Sequence, residues 1–263
     1  MQLSEKFMNE IRPMIGLPMT RLGRNFDGGY VLPLLALDNC DSLVSLGYGY
    51  DSSFESDFLS LSSAKRVFLY DSSINLTVVI GQLFESLKFF PKGRKRYFVL
   101  RVKQLIKYLL LRLNPRIRYT NTFIGKFTGS KSLSYSQLLK AHSESNVILK
   151  MDIEGAEYQC FESPVDFKSY VKCMVIEFHD LKEKESEFIR IIKELKSNFT
   201  LVNTHINNFA PVVDQIPTVI ELSFIQSSLV SEKQLSPALK VPSLFDFPNN
   251  MYKAEISYDY PRV

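Results

Sequence analysis

The chain has 263 residues, 45% hydrophobic and 23% charged, the balance of a soluble globular protein with a sizeable core, which excludes a disordered or fibrous chain. Its formal charge of +4 is unevenly placed: residues 88–118 carry eleven Lys or Arg and no Asp or Glu, and subtracting these eleven leaves −7 for the rest. Basicity is therefore local, a device for meeting an acidic surface or substrate.

From the N-terminus, "MQLSEKFMNEIRP" contains acidic residues and no apolar signal core, and no apolar run is long enough to span a bilayer. Neither export nor a membrane anchor is expected. Short apolar runs then recur with helix-like stretches between them: "SLVSLG" (42–47), "RVFLYD" (66–71), "NVILKMD" (146–152), "CMVIEFH" (173–179), "FTLVNTH" (199–205) and "TVIELSFI" (218–225). A further strand is expected near "TNTFIG" (120–125). Helices are expected over 53–63, 75–88, 132–142 and 156–162, and over "LKEKESEFIRIIKELKS", where Leu181, Phe188, Ile191, Ile192 and Leu195 share a face. Within the basic segment Val102, Leu105, Ile106, Leu109 and Leu113 trace an apolar helical stripe with Lys103 and Lys107 to one side. Cys40, Cys160 and Cys173 lack metal-ligand spacing and read as reduced thiols of a cytoplasmic protein.

Alternating strands and helices argue for a mostly parallel α/β sheet. Only a loop separates the last two strands, so they are expected to be antiparallel. Seven strands, parallel except for one in a C-terminal hairpin, form the Rossmann-like architecture of class I S-adenosylmethionine (SAM) methyltransferases, which this spacing permits.

The ends of these strands carry the polar residues. "SLGYGYDSSFESDF" follows the first strand and opens a helix, so Gly47 and Gly49 can bring backbone close to a ligand. Asp71 ends the second strand, where a carboxylate can accept both hydroxyls of a ribose. A third glycine is missing after Gly49, which argues against a pyrophosphate and hence against NAD. "KMDIEGAE" ends the fourth strand with Asp152 and Glu154 two residues apart, a spacing that directs both to one side of an extended backbone, with Lys150 on the same side as a pairing partner. Glu177 and His179 end the fifth strand and His205 the sixth. His142, near a helix C-terminus, is explained by the helix dipole.

Taken together, "RLGRNFDGGYVLP", "LGYGYDSSFE", "LKMDIEGAE", "IEFHD", "HINN", "PTVIELSFI" and "LFDFPNN" resemble FkbM-family methyltransferases. The resemblance implies O-methyl transfer from SAM to a sugar or other secondary metabolite, with Gly47, Gly49 and Asp71 as cofactor residues and Asp152 to Glu157 as the acidic motif. It also implies that Asp27, Gly28 and Gly29 lie near the cofactor's methionine end. Tyr48 and Tyr50 depart from the usual small residues of the glycine loop. The chain then reads as one methyltransferase domain, 1–263, with an N-terminal extension (1–40) and a basic helical insertion (about 88–118).

A sugar hydroxyl needs a base or a metal to take its proton. His179 and His205, with Asp152, are the candidates for acid–base work, whereas Asp152, Glu154 and Glu177 could hold Mg²⁺ or Mn²⁺. The expected partner is a small-molecule or glycan acceptor, anionic if the basic segment serves it. Peripheral membrane contact through 88–118 is a second use of that segment, and no nucleic-acid motif accompanies it. Two other classes compete: a non-catalytic module of the same fold docking an anionic surface, and an NAD-dependent oxidoreductase.

Overall fold

A computed structural model describes all residues except 1–2, 39, 50, 65, 88–94, 126–131, 143–145, 162–169 and 263. The first part of the expected basic insertion, 88–94, thus lies outside the described residues. The chain enters through α1 (Glu5–Glu10) and a hairpin of β1 (Met19–Leu22) and β2 (Tyr30–Pro33). It continues as β3 (Ser42–Leu46), α2 (Ser53–Leu61), β4 (Arg66–Tyr70), α3 (Leu76–Leu87), α4 (Lys95–Leu113) and β5 (Ile117–Thr120). The second half holds α5 (Tyr135–Ala141), β6 (Val147–Met151), α6 (Glu157–Cys160), β7 (Val171–Phe178), α7 (Glu185–Lys196), β8 (Phe199–Ile206) and β9 (Ile220–Gln226).

Seven strands form one sheet in the order β8-β9-β7-β6-β3-β4-β5. All neighbours run parallel except β9, which is antiparallel to both β7 and β8. This is the class I methyltransferase architecture expected from the sequence. The chain order reverses between β3 and β6, the position at which ligands bind outside the carboxyl ends of the strands.

Period-two alternation gives the sheet two buried faces. Val44, Leu149, Met174 and Phe224 pack with α1, α5, α6 and α7 on one side. Leu43, Val67, Ile148 and Val175 pack with the β1–β2 hairpin, α2, α3 and α4 on the other. All five residues of the stripe predicted around α7, Leu181 to Leu195, are buried.

Two expectations on the edge need correction. The strand of the main sheet falls at 117–120, because Ile117 and Tyr119 turn inward while Arg118 stays in water, and the expected 120–125 segment holds only a two-residue strand, Phe123–Ile124, paired outside that sheet. Arg118, with Arg116 just before the strand, made it read as part of the insertion. Only part of the α4 stripe seats the helix: Leu105 packs beside the buried Tyr108 and Leu111, whereas Ile106, Leu109 and Leu113 are exposed.

Candidate functional site

A cleft of about 660 Å³ opens at the switch point between β3 and β6, bordered by the loops after β3, β4, β5 and β6. Gly47 ends β3 with φ +75°, and a Cβ there would stand 1.5 Å from the carbonyl oxygen of Asp152. Only glycine lets these two strand ends approach so closely. Lys150 is buried, donates to the Gly47 carbonyl at 3.1 Å and lies over the Tyr30 ring. It thus holds the glycine loop instead of pairing with Asp152 or Glu154 as the sequence suggested.

Asp71 lines the cleft with Gly47 and Gly49. Its Oδ2 accepts from the Gly49 amide at 2.8 Å, and its Oδ1 accepts from the amides of Ser73 and Ile74 and from the Ser73 hydroxyl. The carboxylate therefore ties the first loop to the second. Oδ2 makes one of these bonds and retains capacity for a ligand hydroxyl. Thr122, Phe123 and Ile124 close this end.

Asp27 and Gly28 line the opposite end, together with Asp152 and Glu154. Asp27, Gly28 and Gly29 form the turn of the β1–β2 hairpin, ahead of the first strand of the main sheet. Tyr30, which sequence reasoning passed over, is buried beneath them, and its hydroxyl lies 2.9 Å from both Asp152 Oδ2 and Glu177 Oε2. One hydroxyl proton cannot serve two carboxylates. The second bond needs a proton on an acid, and Glu177 is the one placed to hold it: burial, then the charges of Asp152 and Glu221, push its carboxyl well above the ordinary range. The chain of bonds runs from the Glu177 acid through Tyr30 to the Asp152 carboxylate. Asn207 completes it by donating to Glu177 Oε1 at 2.8 Å.

The structure brings His179 to the same carboxylates. Its Nε2 lies 3.5 Å from Glu154 and 4.0 Å from Asp152, and its Nδ1 lies 3.1 Å from the fully buried Glu157. Burial alone would lower the imidazole pKa, but the hydrogen bond and charge of Glu157, with the charge of Asp152, outweigh it and raise the value to about 9. The ring is an imidazolium at neutral pH, which removes it as a ready base. Parity did not deliver this grouping. The strand ends at Met151, and Glu154 sits at φ +54°, outside the extended backbone that the two-residue spacing assumed.

His205 sits elsewhere. It is fully buried between Glu221 at 3.0 Å and Glu255 at 3.2 Å, directly across from Glu221 in the β8–β9 register. Burial works against its charge, but Glu221 and Glu255 hold its pKa well above the ordinary value. With both nitrogens committed, it pins the C-terminal segment to the sheet. Asn249 bonds the same Glu221, and the Asn250 amide donates to Asn208 at 2.6 Å, so "HINN" and "LFDFPNN" clasp one another. Glu177, expected as a metal ligand, is engaged by Tyr30 and Asn207. Among the described residues, the ligand atoms that converge within 4.8 Å belong to Asp152, Glu154 and His179. His142 is likewise not a dipole partner: burial lowers its pKa, and its Nε2 bonds the Tyr70 hydroxyl at 2.9 Å.

Residues 70–199, from the end of β4 to the start of β8, match the methyltransferase FkbM domain. The chain carries an FkbM methyltransferase domain. No curated protein sequence matches it. Among solved structures, the chain is similar to a spermidine synthase from Thermotoga maritima (TM-score 0.40, 11% identity, 78% of this chain and 60% of that one). It is similar to a precorrin-6y C5,15-methyltransferase from Geobacter metallireducens (TM-score 0.37, 10% identity, 73% and 84%). It is also similar to a spermidine synthase in complex with the transition-state analogue AdoDATO (TM-score 0.42, 11% identity, 78% and 61%). The fold assignment rests on strand order and the FkbM match, which places the chain with methyltransferases rather than nicotinamide oxidoreductases.

Proposed function

We propose that this protein is a cytoplasmic O-methyltransferase that moves the methyl group of SAM to a hydroxyl of a sugar or glycan precursor of the bacterial surface polysaccharide type. One observation carries the reading: a single cleft joins a carboxylate suited to ribose, Asp71, to a carboxylate with a proton relay behind it, Asp152. In this reading Asp71 accepts the ribose hydroxyls, Gly47 and Gly49 receive the methionine portion, and Asp27, Gly28 and Gly29 close over it.

The acceptor oxygen attacks the methyl carbon in line with the carbon–sulfur bond. That bond's electron pair stays on sulfur and leaves S-adenosylhomocysteine. Geometry supplies most of the acceleration, because holding the oxygen opposite the sulfur makes the step effectively unimolecular. The hydroxyl proton passes to Asp152, whose other partner Tyr30 reports the change to Glu177. His179, positively charged beside Asp152 and Glu154, orients the carboxylates and offsets their mutual repulsion. His205 takes no part in this scheme.

A second reading is favoured by the convergence of Asp152, Glu154 and His179. Two carboxylate oxygens and an imidazole nitrogen fit Mn²⁺, or Mg²⁺ with more water in its shell. Such an ion would lower the acceptor's pKa and take over the charge now held by the imidazolium. Labelled SAM with a panel of nucleotide-linked sugars and anionic glycans, assayed with and without EDTA, tests both readings. Transfer to a sugar oxygen that survives chelation supports the carboxylate route, transfer lost on chelation supports the ion, and transfer to a nitrogen or carbon acceptor overturns the O-methyl assignment.

A further inference from the structure

The helix α4 is built inside out. Tyr108 and Leu111 are buried under it, Arg112 stacks over Tyr119 and bonds the Tyr108 hydroxyl, and Arg101 reaches Gln82 on α3. These contacts seat one face. The opposite face carries Val99, Ile106, Leu110 and Leu113 at helical spacing, between 49% and 77% exposed, with Leu109 beside them. On a helix of a globular protein, apolar residues at this spacing form the buried stripe. Phe84, on the α3 helix that packs beside α4, is itself 64% exposed.

Charge decides what covers it. The helix contains six Lys or Arg and no Asp or Glu, and the exposed Lys103 and Lys107 lie along one edge of the stripe. A free anionic glycan would satisfy the lysines but leave the leucines in water. A second copy would set two lysine rows against each other. A bilayer with anionic headgroups satisfies both features, with apolar side chains below the headgroups and lysines among them. Among the described residues no helix is long and apolar enough to cross a membrane, so α4 would lie on the surface.

We propose that the outer face of α4 docks the protein on an anionic lipid bilayer. Leu100, Lys103, Gln104 and Lys107 of the same helix also line the cleft. Docking therefore brings the cleft wall to the headgroup layer, and, on the methyl-transfer reading above, offers the site to an acceptor displayed at that surface.

The test is flotation of the full chain with phosphatidylcholine vesicles and with vesicles containing phosphatidylglycerol. The expected result is binding to the anionic vesicles only, weakened by salt, and reduced about tenfold or more in Ile106→Ser/Leu110→Ser/Leu113→Ser. The three positions are exposed, so the variant should keep its thermal midpoint and its SAM affinity. Equal binding to neutral vesicles, no binding to anionic ones, or wild-type binding by the folded variant would overturn the proposal. So would sedimentation velocity showing a dimer that the variant dissolves, which would assign the face to a second copy. Because vesicle binding is read without SAM, failure of the methyl-transfer reading would show separately, as absent SAM affinity in a protein that still floats.

Discussion

Replacing Tyr30 by Phe removes one oxygen and keeps the ring, which packs edge-on to Phe54 at 5.8 Å. The lost hydroxyl leaves Asp152 and Glu177 facing one another with no donor between them, where each now bonds it at 2.9 Å. Hydrogen bonds to charged groups contribute about 1.5–3 kcal/mol each, and two that share one oxygen are not additive, so the expected cost is about 3 kcal/mol. For a chain of this size that corresponds to a fall of about 6–12 °C in Tm. The pH dependence carries the sharper information. Glu177 has a raised folded pKa, so its contribution is fully present below its unfolded value and is lost as pH rises through the folded one. Without the tyrosine the two carboxyls can bond each other while protonated, and repel when ionised. The variant's deficit should therefore be larger at pH 8 than at pH 5, as read by urea unfolding followed by circular dichroism at both values. A deficit below about 0.5 kcal/mol at both pH values, or one that grows on acidification, would refute the shared-proton assignment.

Asp71→Asn should weaken SAM binding about tenfold or more, since a charge-assisted bond contributes about 1.5–3 kcal/mol, and an unchanged Kd in calorimetry would rule out a cofactor whose ribose faces Asp71. Gly47→Ala should lose about 2–4 kcal/mol and its SAM affinity, because the new Cβ meets the Asp152 carbonyl oxygen; wild-type unfolding would contradict the close apposition of β3 and β6. His179 is raised to about 9, so its stabilisation is complete below the unfolded value near 6.5 and disappears as pH climbs through 9. At about 1.4 kcal/mol for each pH unit between these values, wild type should lose on the order of 3 kcal/mol between pH 6 and 10, and His179→Asn should flatten that decline; an equal decline in the variant would place the titration elsewhere.

The sheet was legible because strand ends coincide with chemistry: Asp71, Asp152, Glu177 and His205 each close an apolar run, and the missing crossover before β9 announced its direction. What stayed hidden was pairing. His179 and His205 look alike as single histidines near strand ends, yet one meets the cleft carboxylates and the other is locked by Glu221 and Glu255. Glu255 lies fifty residues further on, in a segment without periodicity, and no local pattern points to it. Tyr30 was invisible because a tyrosine after "DGG" reads as an ordinary buried aromatic, and only the packing of the hairpin against β6 and β7 gives its hydroxyl two partners. The stripe expected on α4 divides, with Leu105 against the core and Ile106, Leu109 and Leu113 exposed, because periodicity alone does not say which way an apolar face turns.

Isothermal titration of the full chain with SAM tests the account most directly. Saturable one-to-one binding, displaced by S-adenosylhomocysteine and lost in Asp71→Asn, is the expected result. Heat released by NAD in place of SAM, or no binding of SAM to the folded protein, would contradict it.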